Sequence, residues 1–143
     1  MARQNLTRSG NNNQKKGVSV AVISFVEADV TANAADGSVV FQLPASSMIT
    51  RLTSNVTAAS ATVSSTIDVL IGAVVLVNEL PVAIADIADE TLVAAARYAA
   101  NGGEVIIKSG AVAPATGSLV GELIIEYIEL DKNTGEYTRS LTA

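Results

Sequence analysis

Cysteine, histidine and tryptophan are all absent from this chain of 143 residues. Without thiols or imidazoles there are no disulfide staples, no thiolate nucleophile, none of the usual zinc ligand sets and no side chain that titrates naturally near neutral pH. Aromatic residues are scarce, with two Phe and three Tyr, so base-stacking platforms and the exposed rings of sugar binders are poorly supplied. Positive charge is also short: nine basic residues against 14 acids leave a net charge of −5, which argues against a body that wraps nucleic acid. Apolar runs such as LIGAVVLVN (70–78) fall well short of the about 20 residues that cross a bilayer as a helix. The opening MARQNLTRSGNNNQKK has no apolar run behind its basic residues, so a secretory signal is not expected and synthesis in the cytoplasm is.

Apolar side chains of modest size are abundant. Hydrophobic residues make up 49% of the chain and charged residues 16%, enough for one domain with a real core. Mean hydropathy is +0.40, high for a chain without a membrane span; apolar surface covered by other chains is the simplest reading, and a core rich in Ala and Val is the other source of such a value.

Charge divides the sequence in two. Residues 1–16 hold Arg3, Arg8, Lys15 and Lys16, no acid, six Asn or Gln and one large apolar side chain besides Met1, Leu6. This +4 segment cannot bury enough apolar area to form core, and it is expected to be a partner-binding arm carried by Arg3, Leu6, Arg8, Lys15 and Lys16. The body, 17–143, sets the other five basic residues against all 14 acids, a net of −9. Direct nucleic-acid binding is not expected of either part, because four charges without aromatics give only weak, salt-sensitive contacts.

Within the body, β-branched runs alternate with turn signals. VSVAVISFV (18–26) reads as a strand too apolar to have one wet face, followed by a polar stretch ending in the turn dipeptide Asp36-Gly37. SVVFQL (38–43) is a second strand, ended by Pro44. The run 48–57 has period two, with Met48, Leu52 and Val56 assigned to one face and Arg51, Thr53 and Asn55 to the other. The strand at 62–71 points Ile67, Val69 and Ile71 inward and breaks at Gly72; AVVLV (73–77) returns and stops at Asn78 to Pro81. Ile84, Ile87, Thr91, Ala95 and Tyr98 fall near helical spacing, yet Asp86 and Glu90 would repel at i,i+4 and TLV (91–93) favours extended chain. A loop or short helical turn followed by an extended segment is therefore expected over 82–100.

EVIIK (104–108) is a strand, 109–117 a small-residue loop, and SLVGELIIEYIEL (118–130) a long strand with Leu119, Gly121, Leu123, Ile125 and Tyr127 on one face. Asp131 to Gly135 reads as a turn into a C-terminal hairpin extension over 127–143. Many short strands without alternating helices predict an all-β fold, an antiparallel β-sandwich or jelly roll with an extended N-terminal arm.

Catalytic options are few. Glu122 with Glu126 on one strand face, or Asp68 with an unidentified partner, are the only carboxylate candidates for acid-base work, and solvated strand faces explain them more simply. Ser118 in ATGSLVG lacks the spacing of a nucleophile elbow and any histidine to activate it. The Asp131 to Gly135 turn lacks the remaining acids of a calcium loop. Neither enzyme activity nor a cofactor or metal is expected.

The order of FQLPASSMITRLTSNVT (41–57), ATVSSTIDVLIG (61–72) and YAANGGEVIIKSGAVAPATGSLVGELIIEYIEL (98–130) resembles small virion proteins of tailed bacteriophages, among them capsid decoration or cement proteins with β-sandwich or jelly-roll folds. The likeness covers about 41–130 and leaves out the arm and the C-terminal hairpin. It implies a structural role on the capsid exterior: binding the major capsid protein or another virion protein as a homo-oligomer, a trimer by preference, and clamping neighbouring capsomers. A head-to-tail, collar, tail or fibre-base component is the alternative, and a small β-sandwich binding module or enzyme a second one.

Overall fold

The computed structural model describes residues 17–31, 35–115 and 117–130. The arm at 1–16, with Arg3, Leu6, Arg8, Lys15 and Lys16, and the hairpin extension beyond 130 lie outside the described residues. In chain order the elements are β1 (Ser19–Val26), α1 (Glu27–Thr31), β2 (Ser38–Leu43), β3 (Ser47–Ala58), β4 (Thr66–Ile71), β5 (Val74–Pro81), β6 (Ile87–Asp89), a 3-10 turn (Ala94–Ala96), β7 (Tyr98–Ala99), β8 (Gly103–Ser109) and β9 (Val120–Glu129).

The strands form two antiparallel sheets, one ordered β1-β9-β3-β6 with β7 also on β3, the other β2-β8-β4-β5. The pairings nest: β4 with β5 at the centre, then β3 with β6 and β7, β2 with β8, and β1 with β9 outermost. A long antiparallel ribbon wound so that its successive pairs fall alternately in two facing sheets has the strand order of a jelly roll, and the all-β sandwich expected from the sequence is what the chain adopts. The tip of the ribbon is tight. Gly72 takes φ +61 between paired Ile71 and Val74, the position where a two-residue hairpin needs glycine.

Alternation explains the core. Ile67, Val69 and Ile71 of β4, Val105 and Ile107 of β8, Leu52 and Val56 of β3, and Leu123 and Ile125 of β9 all turn inward and merge into one buried cluster between the sheets. Gly121 lies opposite Phe25 in the β1–β9 register, and a Cβ there would stand 2.7 Å from Cζ of that ring. The glycine leaves the room that Phe25 fills. At one end of the sandwich the rings of Phe41 and Tyr127 meet at 6.2 Å, joining the two sheets.

Several expectations are corrected, among them the start of the strand expected over 62–71, which begins at Thr66 after a turn. Met48 does not share the inner face with Leu52 and Val56: the β3–β9 register shifts between Ile49 and Arg51, so Ile49 is buried and Met48 faces outward. The return strand β5 does not stop at Asn78 but runs to Pro81. It does so through two bulges, one beside Asp68, where Glu79 adopts φ +59 and its N–H donates to Oδ1 of Asp68 at 2.8 Å. The polar stretch after β1 opens with the single-turn helix α1, which buries Val30 and Glu27; Oε1 of Glu27 accepts from Ser60 Oγ at 3.3 Å. Five residues are too few for a helical period to show in sequence. Over 82–100 the expected short helical turn and extended segment are found, as the 3-10 turn and β7, with β6 ahead of them.

Candidate assembly surface

Among the described residues β1 has only β9 beside it in its sheet, so its far side is an edge that no described strand covers. Its even-numbered side chains point away from the core, as does Val18 just ahead of it: Val18, Val20 and Val22 are 53%, 56% and 60% exposed, with Val26 also exposed. The sequence expectation of a strand with no wet face is not met within one chain. Four valines in a column on a solvated surface leave apolar area that water does not stabilise, in a body otherwise rich in acids.

Next to that column, β9 alternates apolar and acidic outward residues, Val120, Glu122, Ile124, Glu126 and Ile128. Val22 faces Ile124, and Val20 faces Glu126. Both acids are engaged from the other side, by β3. Nδ2 of Asn55 donates to Oε1 of Glu122 at 3.1 Å, and the Arg51 guanidinium lies 3.7 Å from Oε2 of Glu126. Arg51 also forms a bidentate pair with Asp89 of β6, Nε to Oδ1 at 3.1 Å and Nη2 to Oδ2 at 3.0 Å, while Thr53 Oγ1 donates to Oδ1 at 2.7 Å. The Thr53 hydroxyl first, and then Arg51, hold the Asp89 carboxyl below the usual carboxylate range. The face is thus graded: a polar network ties β3, β6 and the β9 acids together, and the apolar column is left along the β1 edge. Ile128, Met48 and Tyr98 lie side by side across β9, β3 and β7 and add an apolar row at one end.

The structure does not bring Glu122 and Glu126 together as an acid-base pair. Four residues apart on one strand, they sit about 13 Å from each other along the rise, each with its own β3 partner. Asp68 serves the β5 bulge. Ser118 accepts from the Ala61 N–H at 3.1 Å and donates to the Ala59 carbonyl at 3.0 Å, latching the β3–β4 loop to the segment that enters β9. An open cleft of about 510 Å³ lies between residues 60–66 and 81–84, walled by Ser60, Thr62, Ser65, Pro81 and Ile84, with no charged residue among its described lining. Among the described residues no group of three acids could hold a metal, and no helix is long and apolar enough to cross a membrane.

Reading strand by strand found the residues of this surface but not the surface itself. The acids of β9 were visible as alternation and the valines of β1 as an apolar run; that they share a face depends on a register between residues more than 100 positions apart, and that Asn55 and Arg51 engage the acids on one between residues some 70 apart. Comparisons with protein-family models, with curated proteins and with solved structures each return no match.

Proposed function

We propose that the protein is a structural virion component, a capsid decoration or cement protein that binds the outer shell of a tailed phage and reinforces the contacts between capsomers. The observation that carries this reading is the valine column of β1, with Ile124 and Ile128 beside it, on an outer sheet face whose neighbouring acids are already paired. Contiguous apolar surface of that kind marks a binding face, and such a face works by burying area rather than by chemical steps. The resemblance of 41–130 to phage decoration proteins supplies the partner class, the major capsid protein. The basic arm, with Arg3, Arg8, Lys15 and Lys16, supplies a second, electrostatic contact. Each hydrogen bond made by an arm laid on a shell adds on the order of 1 kcal/mol net, and a lattice repeats the contact many times.

The test is uptake by shells of the parent phage that lack the protein. Binding at a fixed copy number per capsomer is expected. Deleting residues 1–16 should leave the melting temperature of the body nearly unchanged while weakening attachment, and the difference between full-length and deleted chains should shrink as salt rises. No uptake, with the protein located only in the tail, would overturn the capsid role in favour of a tail or connector component.

A further inference from the structure

We propose that β1 is a self-pairing edge: in solution it joins β1 of a second copy antiparallel, so that the two β1-β9-β3-β6 sheets become one continuous sheet across a two-fold axis. The pairing does not depend on which larger assembly the chain joins.

An open strand edge offers unpaired N–H and C=O groups to any other strand, and proteins that stay monomeric blunt such edges with charge, proline, bulges or short length. Three of the four sheet edges here are blunted. β5 carries two bulges, Glu79 and Pro81; β2 carries a bulge after Val39 and runs into Pro44; β6 is three residues long, set among Asp86, Asp89 and Glu90, and its neighbour β7 has two. β1 is the exception. It keeps an unbroken register with β9 over eight residues and contains no charged residue and no proline.

Backbone direction defines the open stretch. Glu27 N–H donates to the Leu119 carbonyl at 3.0 Å, continuing the register in which Val26 lies opposite Val120. In an antiparallel ladder both polar groups of a residue point to the same side and successive residues alternate. Odd-numbered residues of β1 therefore bond to β9, and even-numbered ones turn their N–H and C=O to the open edge. At the far end the Val26 N–H is already taken by Asp29 Oδ2 at 2.9 Å. The stretch whose outward groups meet no described residue runs from Val18 to Ser24 and has Ala21 at its centre.

A second copy fits this stretch better than a charged partner. The body of the chain carries −9, so most self-contacts would set acid against acid, whereas β1 meets its own copy without opposing any charge. The register that uses the whole stretch is centred on Ala21. It places Val20 opposite Val22 of the second copy and Ser24 opposite Val18, and it sets the two valine columns side by side on the outer face. Isologous pairing closes at two copies. The trimer implied by the resemblance needs a different contact.

Sedimentation and light scattering on the purified full-length chain, without shells, test this directly. The wild type is expected at twice the 14.6 kDa of one chain, and V20K/V22K at the mass of one chain, still folded by circular dichroism because both positions are exposed in the single chain, with a melting temperature that no longer depends on protein concentration. If that variant fails to fold, a crosslink decides. The chain has no cysteine, so A21C would be its only thiol, and across the axis its Cα atoms would lie at about 4.5 Å, within disulfide reach. Oxidised A21C should run as a covalent dimer. V20C, whose two copies are diagonal at about 7–8 Å, should crosslink poorly. A wild-type monomer at submillimolar concentration, an oligomer whose mass the lysines leave intact, or A21C that crosslinks no better than V20C would overturn the proposal. Failure of shell uptake with dimers still present would sink the capsid role and leave this pairing standing.

Discussion

Adding one methyl group at Gly121 should loosen the attachment of β1 to the rest of the sandwich. The Cβ of Gly121→Ala would stand 2.7 Å from Cζ and 3.1 Å from Cε1 of Phe25, and 3.0 Å from the Asn55 carbonyl oxygen. Carbon pairs are most favourable at about 3.5–4.0 Å, so the methyl overlaps the ring by close to 1 Å. Phe25 is 1% exposed and cannot swing into solvent. Overpacking of this kind costs about 1–3 kcal/mol. Against it works the removal of a strand glycine, which favours folding by about 0.5–1 kcal/mol. The overlap should win, leaving a net loss on the order of 1–2 kcal/mol, or about 2–8 °C in Tm for a chain of this size.

Thermal and urea unfolding followed by circular dichroism measure this, and a second substitution identifies the cause. Phe25→Leu alone opens a void and should destabilise, but in the Gly121→Ala background it removes the ring atoms that the methyl strikes. The double variant should therefore lose less than the sum of the two single losses by at least about 0.5 kcal/mol. Recovery should be incomplete, because the Asn55 carbonyl remains close. Strict additivity, or a Gly121→Ala protein that melts at or above the wild type, would refute the steric account of why this strand carries a glycine in its middle.

Two further predictions concern side chains that hold the loops and the polar network. Glu79 accepts from Thr66 Oγ1 at 2.5 Å and from the Ala111 N–H at 2.9 Å, fastening the β8–β9 loop to the β5 bulge; Glu79→Ala should cost about 1.5–3 kcal/mol in urea unfolding, and a loss below about 0.5 kcal/mol would show that the carboxylate is dispensable. At Asp89 the folded-state pKa lies below the unfolded value, so its contribution to stability is present above the ordinary carboxylate range and is lost as pH falls through the folded value. An NMR titration of the Asp89 carboxyl should show Thr53→Val and Arg51→Gln each raising its pKa toward the ordinary value, and a variant that leaves it unmoved would contradict the part given to that side chain.

The sequence alone was enough for the fold class and for most strand faces, because these are local properties. A strand turns its side chains to alternate sides whatever it pairs with, so Ile67, Val69 and Ile71, or Leu119 through Tyr127, declare their inner face without knowledge of any neighbour. The alternation misled where the backbone slips, at the bulge between Ile49 and Arg51, since an extra residue reverses the phase and nothing in the neighbouring side chains announces it. The glycine at 121 was legible as a residue but not as the space for Phe25, nearly a hundred positions away. Composition raises the expectation of association and assigns it to no strand. VSVAVISFV reads alike for a strand buried between neighbours and for one at an edge, because the difference lies in which strands flank it. Only the nested pairing, which brings the last described strand back beside the first and leaves no described strand on the far side of β1, made that run of valines an exposed edge.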